Sequence, residues 1–476
     1  MKVERSTYLV DRKPYLRELV DELNRKYDYA SVLATDCKAY QYSVSMRGID
    51  AKEDSLFSER GFVVRVNDGS GIAEYSFNEI GKDSIPEIVK AVDEALVPFK
   101  ASVLGTVNEI ERTIPEEEET VFLGATEYEI HPETLGSEAI IERLSAIREK
   151  TLHGAEGIMD AGARLSYQVI HKMFLSAKKD MEQNVMWTCG NVSAFARSER
   201  GLKSSGDGFS VLGGAELLDK MEKETGRIAK TAIELTHAEP LPPGEYECVC
   251  TPSVTGMIVH EAFGHGVEMD MFVKDRAMAK YCVGTQVASP IVTMRDSAKS
   301  INDAGSYFFD DEGTMATDTV IIENGILKRG ISDLLAASKL GTEPTGNGRR
   351  MSFERKAYTR MTNTIFQGGK DKVEDMIKSV KSGLLLDEPT SGMEDPKNWG
   401  IQCMVSFGRE IKDGKLTGRI FSPIVLTGFV PDLLRSITMM SEDAPTCGSG
   451  YCGKGYKEWV KVSDGGPYIK ATIRLG

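Results

Sequence analysis

Residues Val259–Gly266 read VHEAFGHG. Two imidazoles and a carboxylate within six residues are a set that can bind a divalent metal and move a proton. The familiar HExxH spacing puts its histidines four apart on one helical face; here His260 and His265 are five apart. Five residues of an ideal α-helix advance about 500°, which leaves the two rings about 140° apart. A π-turn, with its i→i+5 relation, brings them back onto one face. Gly264 and Gly266 make such a distortion inexpensive. The spacing predicts a helix that is widened by one residue here, or ends here, so that both imidazoles face one ion. With six histidines and 72 acidic residues among 476, such a pattern arises by chance roughly 0.01 times.

The element that must carry the motif follows the strand-like EYECVC. Thr251-Pro252 reads as a helix N-cap followed by an N1 proline. From Thr251 to Val267 the only formal charge is Glu261, so the helix is expected to be buried on most sides. A buried carboxylate without a partner costs several kcal/mol or shifts its pKa. A nearby dication compensates it; the plainer solution is an arginine, with the histidines bonded to carbonyls. A catalytic zinc site needs a third protein ligand and one open position, and thiolate joins imidazole readily around zinc. Cys447 and Cys452, in the glycine-dense stretch APTCGSGYCGKGY, are the cysteines that stand out. The other histidines, His131, His153, His171 and His237, have no motif context.

A chain of 476 residues exceeds one ordinary core. Pro240, Pro242 and Pro243 in THAEPLPPGEYE form its clearest linker. The simplest partition is an α/β N-terminal domain, 1–240, and a β-rich C-terminal domain, 241–476, an α+β fold overall. Within the first part, helical periodicity over Pro14–Tyr27 precedes strand-like YASVLA, AYQYSVSM, GFVVRV and IAEYSF, with a hairpin turn at Asp68-Gly69. The helical IPEIVKAVDEALV follows. The order then repeats: a helix over Ser137–Leu152, strands in ARLSYQVIHKMFLSA, NVMWTCGNVSAFARS and GLKSSGDGFSVLGG, and a helix over Ala215–Leu235. This suggests an internal helix–strands–helix duplication.

Bulk properties exclude some functions. No apolar run reaches membrane-spanning length, and MKVERSTYLVDRK lacks the apolar core of a signal peptide, so a cytoplasmic location is expected. Eight scattered cysteines suit reduced thiols. A net charge of -14 repels phosphate backbones, so no nucleic-acid partner is expected.

Several motifs together resemble the TldD/PmbA family: HEAFGHGVEMD, DDEG at Asp310–Gly313, IIENGILKRG from Ile321, TGNGRR at Thr345–Arg350, RMTNT at Arg360–Thr364 and CGK at Cys452–Lys454. The likeness extends more weakly to Arg60, Gly61 and Phe62. TldD-like chains of this family bind zinc through HExxxH and a C-terminal cysteine, whereas PmbA-like chains lack these residues. The resemblance therefore implies zinc held by His260, His265 and Cys452, with Glu261 as the catalytic carboxylate. It favours Cys452 over Cys447 because Gly-Lys follows it, although GKGYKEW departs from the family's CGKDGQ. It also implies an α/β domain before a β-rich one, and hydrolysis of unfolded or short polypeptides with little sequence preference. A PmbA-like subunit is the implied partner in a dimer.

The mechanism expected from such a site is attack by a zinc-activated water with Glu261 as general base. Arg360 and Asn363, or Arg349 and Arg350, are candidate oxyanion donors; the same arginines could instead pair with Asp310, Asp311 or Glu312. Glu268 and Asp270 are candidate partners of the histidines. An extended peptide could pair with an exposed strand edge in the C-terminal domain, which would read no side chains. The competing functions are a zinc amidohydrolase acting on small amides and a binding subunit with a structural metal.

Overall fold

The computed structural model describes residues 1–69, 71–102, 117–455 and 458–476. Helix α1 (Thr7–Asn24) starts earlier than its leucine spacing suggests because Ser6 caps it, its hydroxyl accepting the Leu9 amide at 3.2 Å. The two strand-like runs after it fuse into one strand, β1 (Tyr29–Ser45). Strands β2 (Gly48–Glu53), β3 (Glu59–Asn67) and β4 (Ile72–Phe77) follow, and then α2 (Ile85–Ser102). Beyond β5 (Thr120–Ala125) and the short α3 (Pro132–Leu135) lie α4 (Ser137–Leu152), β6 (Ile158–Ser176), β7 (Lys179–Ser198), β8 (Gly201–Val211) and α5 (Leu217–Glu234).

These strands form one sheet in the order β4-β3-β1-β6-β7, with β8 and β5 both on β7 and β2 on β1. Its centre is the antiparallel pair β1–β6, running from Ser31 opposite Ser176 to Val44 opposite Ala163. Toward its Ser31–Ser176 end α1 and α2 cover a core of Leu16, Leu19, Val32, Phe62 and Val92. Toward its Val44–Ala163 end, on the same face, α4 and α5 cover Ile140, Leu144, Leu165, Met186 and Ile228. The duplicated order of elements is thus two helix-covered halves of one sheet, joined through their first strands. Strands β2 and β5 have no place in that repeat; β2 is exposed throughout, so no apolar alternation marks it.

The rest of the chain winds around a closed ring of strands. Ser382–Asp395 pairs with β9 (Gly244–Cys250), β9 with Ile469–Leu475, that strand with Ile424–Phe429, and that one with Gly400–Lys412, which pairs back onto Ser382–Asp395. Closure removes free edges along the paired length of the ring. The core of this region joins ring residues such as Cys248, Leu386, Cys403 and Leu426 to Val254, Ile258, Val259 and Phe263 of the segment after β9. Burying each of the large aliphatic or aromatic side chains contributes about 1.5–3 kcal/mol. A second, open sheet places Met294–Ser297 beside Asn363–Phe366, which in turn pairs with Ser463–Gly465 and so leads to Thr446–Cys447.

The two regions are fastened by residues that read as motifs in the sequence. Arg65 bonds Glu312 at 2.6 Å, Lys172 pairs with Asp311, and Arg350 bonds Glu74 at 2.9 Å. A side chain at Gly61 would collide with the Phe353 ring, so glycine permits that close approach. No described helix is long and apolar enough to cross a membrane.

Candidate metal centre

Helix α6 (Pro252–Met257) begins where Thr251 and Pro252 predict, but the Thr251 hydroxyl bonds Asp387 at 3.0 Å rather than capping the helix. The backbone then widens into a π-helical turn over Ile258–Gly264 and tightens to a 3₁₀ turn over His265–Val267. The expected extra residue is absorbed by that π-turn. Gly264 keeps ordinary helical angles, φ -60° and ψ -48°. It is glycine for space, since a Cβ there would strike the Met361 sulfur, and a Cβ on Gly266 would lie 2.6 Å from Glu394 Oε1. Close packing rather than backbone freedom explains both glycines.

The distortion brings the two rings together, their centroids 5.1 Å apart. Cys452 meets them from a distant hairpin, its Sγ 3.3 Å from His260 Nε2 and 3.4 Å from His265 Nε2. The ligand atoms of the three residues lie within 4.8 Å of one another. A tetrahedral zinc with ordinary Zn–S and Zn–N bonds separates sulfur from nitrogen by about 3.5 Å. The donor set and its spacing fit such an ion. Cys447 faces elsewhere, its thiol donating to the Gly208 carbonyl at 3.3 Å. All eight cysteines are free thiols.

The electrostatics of the trio are those of a site ready to exchange protons for a cation. Burial resists ionisation of Cys452, but the two imidazoles outweigh it and hold the thiol well below its ordinary range. Burial likewise opposes charge on His265, yet the Cys452 sulfur and Glu268 raise it well above the usual imidazole range. The same balance, set by Cys452, raises His260. His260 Nδ1 is buried without a hydrogen-bond partner among the described residues. Glu261 stands beside the trio, Oε2 4.0 Å from His265 Nε2, with 23% of its side chain exposed. Burial raises its carboxyl above the ordinary range, against the pull of both imidazoles.

Behind the site lies a buried ionic network. Glu268 is 1% exposed and sits 3.3 Å from His265 Nδ1, where it orients the ring. It also takes Lys454 at 3.0 Å and Arg360 at 3.5 Å. Asp270 does not reach a histidine; it holds Lys454 at 2.6 Å and Lys274 at 3.2 Å.

The candidate oxyanion donors are elsewhere engaged. Arg360 is 1% exposed and spends its guanidinium on Glu268, the Cys452 carbonyl at 2.8 Å and the Glu458 carbonyl. Asn363 is fully buried; its amide donates to Ser297 O, Ile301 O and Ser306 Oγ, and its oxygen accepts from Ser463 and the Gly305 amide. Neither lines the cleft beside the two histidines. Arg349 donates to the Met361 carbonyl at 2.6 Å, and Arg350 serves Glu74. Among the plain histidines, His171 bonds Asn184 at 2.8 Å and His131 accepts the Glu133 amide at 3.2 Å.

Two acids near the centre escape sequence reading. The Glu394 carboxyl is buried against the Gly266 backbone, and burial raises it well above the usual range, against the pull of His265 and the Gly266 amide. Asp464, on the strand beside Cys447, is pushed up to about 6 by burial, against the pull of His260. They lie in MEDP and VSDGG, more than 120 residues from the helix, and nothing in those stretches marks them.

From the trio His260 opens, with Glu261, onto a cleft of about 870 Å³. His260 and Glu261 line it from one side, Asp387–Gly392 from another, and Gly206–Phe209 of β8 with Lys220, Lys223 and Arg227 of α5 from the N-terminal region.

Residues 243–473 match the PmbA/TldA metallopeptidase C-terminal domain. A metalloprotease of Methanothermobacter thermautotrophicus is 31% identical over 59% of this chain and 61% of its own length. A metalloprotease TldD homolog of Haemophilus influenzae is 27% identical over 88% of this chain and 87% of its own. A zinc metalloprotease TldD homolog of Saccharolobus solfataricus is 30% identical over 49% of this chain and 52% of its own. Across the first curated relatives the match spans only 61%, 53% and 52% of their lengths. In fold the chain is similar to TldE from Thermococcus kodakarensis, with a TM-score of 0.74 over 97% of this chain and 100% of that one at 18% identity. The α+β architecture is shared across that whole length. Through residues 243–473 and the motifs they carry, the chain is similar to the TldD/PmbA family of metallopeptidases, and it shares the fold of TldE.

Proposed function

We infer that this chain is a TldD-type zinc peptidase subunit that hydrolyses peptide bonds of unfolded or short polypeptides. The observation that carries this reading is the convergence of His260, His265 and Cys452 beside a large cleft that His260 and Glu261 line. Those three side chains would hold the ion. When bound, zinc would supply Lewis acidity, polarising a scissile carbonyl and acidifying a water. Glu261 accepts the proton of the attacking water on its carboxylate and returns it to the departing amine. Its raised carboxyl suits both halves of that exchange, because a group that holds a proton more firmly is a better base. Glu268 keeps His265 oriented through Nδ1, leaving Nε2 for the ion.

The cleft also supports low sequence preference. Strand Ser382–Asp395 pairs with β9 only as far as Leu386. From Asp387 to Gly392 its second edge has no strand partner among the described residues, and these residues line the cleft. An extended substrate can bond there through its main chain. Replacing backbone amides of a substrate by esters is expected to weaken cleavage if it does. A PmbA-like subunit is the partner that completes the enzyme, and neither nucleic acid nor membrane takes part.

Metal analysis combined with peptide and casein cleavage, with and without chelator and partner, tests the reading. Chelator-sensitive cleavage that is lost in Glu261→Gln supports it. Turnover of small amides with peptides untouched, or full activity in Glu261→Gln, overturns it.

A further inference from the structure

Both histidines ride on a helix packed into the ring of strands, whereas Cys452 sits on a two-residue strand, Tyr451–Cys452, paired with Val460–Lys461. So short a hairpin does not fix a thiolate by itself. Neighbouring residues on a strand face opposite ways, so Tyr451 points away from the two imidazoles that Cys452 faces. What Tyr451 meets belongs largely to the N-terminal sheet. Phe57 stacks on its ring at 4.5 Å with 10° between planes, and Trp187 of β7 meets it edge-on at 6.0 Å. Lys461, directly opposite Tyr451 in the hairpin, places Nζ 4.4 Å from the Tyr451 ring centre and 4.6 Å from that of Trp187.

That ammonium is unusual. Lys461 is only 6% exposed, and its Nζ is buried beside the Cys189 thiol of β7 with no well-formed hydrogen bond among the described residues. Burying an ammonium without a strong acceptor or an anion is costly, and the two aromatic faces, with the Cys189 sulfur beside them, are the compensation it has. The same β7 and β8 strands hold the start of the loop: Cys189 Sγ donates to Gly448 O at 3.1 Å, the Gly448 amide donates to Ser210 Oγ at 2.5 Å, and Cys447 Sγ donates to Gly208 O at 3.3 Å.

We propose that Lys461, clamped between Trp187 and Tyr451, is a positioning residue of the metal centre: it seats the Cys452 hairpin on the N-terminal sheet and so holds the thiolate at the two imidazoles. The proposal rests on the reading of His260, His265 and Cys452 as metal ligands. It makes the N-terminal sheet part of the metal site although none of its residues touches the ion.

The test is zinc affinity of the full chain, measured by competition with a chromophoric chelator, together with the thermal unfolding of the metal-free chain. Lys461→Met keeps the length and removes the charge; zinc affinity is expected to fall about 10- to 100-fold, as for other residues that orient ligands. Lys461→Arg, which keeps the cation over both rings, is expected to restore most of it. Loading with cobalt gives a readout that a general packing defect does not move: the thiolate-to-cobalt absorption should weaken in Lys461→Met while metal-free unfolding stays near that of the parent chain. Should Lys461→Met fail to fold, Trp187→Leu removes one face of the clamp and is expected to lower affinity in the same sense. Zinc affinity unchanged in these variants, with Cys452→Ser abolishing it, overturns the clamp and leaves the ligand assignment standing. Zinc affinity unchanged in Cys452→Ser overturns both.

Discussion

Two clusters in this protein are equally rich in titratable groups and do opposite things. In the DDEG loop, Asp310, Asp311 and Glu312 are each no more than 6% exposed. Asp310 accepts the amides of Glu312, Thr314 and Gly348; Asp311 takes Lys172 and the Arg350 amide; Glu312 takes Arg65 and the Leu334 amide. Each has its bonds within the fold, and the result is a seam between the two regions. At the metal centre the accounting stays open. His260 Nδ1 lacks a hydrogen-bond partner among the described residues, and the ligand-side nitrogens of both imidazoles meet the Cys452 sulfur, with Glu261 4.0 Å from His265. Density of charge does not mark a reactive site; unspent bonding capacity at the wall of a cleft does.

Substitutions on each side sharpen this contrast. The largest effect is expected from Glu261→Gln, which should lower turnover about 10²- to 10⁴-fold while zinc stays bound, read by steady-state cleavage and metal analysis of one preparation. Glu312→Gln should act in the opposite register. Leaving Arg65 short of a buried partner should cost about 3 kcal/mol in denaturant unfolding, with zinc affinity of the folded protein unchanged. A loss of zinc affinity there, without a loss of stability, would erase the distinction between the clusters. Glu268→Gln belongs to both worlds, being buried and ion-paired yet bonded to His265. It should weaken zinc binding about 10- to 100-fold in chelator competition.

Acidity acts without any substitution, and the sign of its effect follows from the site. Both imidazoles are raised by the Cys452 thiolate in the metal-free chain and must shed any proton before they can ligate. Zinc affinity should therefore rise with pH from 6 to 8, by up to about tenfold per unit for each proton released. Titrations at three pH values measure it, and a flat profile would mean that the imidazoles are not the ligands.

The sequence makes the centre of the site legible and its surroundings opaque, for a physical reason. His260, Glu261 and His265 lie within six residues, so their spacing alone points to a helix widened or ended there, and the structure has a π-turn followed by a 3₁₀ turn. The order of helices and strands in the first 240 residues is legible because each element buries one face. Arg360 and Asn363 misled because a polar residue in a motif looks the same whether its bonds are spent inside or offered to a substrate. Glu394, Asp464 and the Lys461 clamp come from segments that meet only in three dimensions, and Gly264 and Gly266 were read for flexibility when their role is to admit Met361 and Glu394.

The central claim is a mixed sulfur and nitrogen coordination sphere at one place in the chain, and X-ray absorption at the zinc edge tests it directly. The zinc-loaded protein should show one sulfur at about 2.3 Å and nitrogen or oxygen neighbours at about 2.0 Å, with the sulfur shell lost in Cys452→Ser. A sphere without sulfur, or a sulfur shell that survives that substitution, would contradict it.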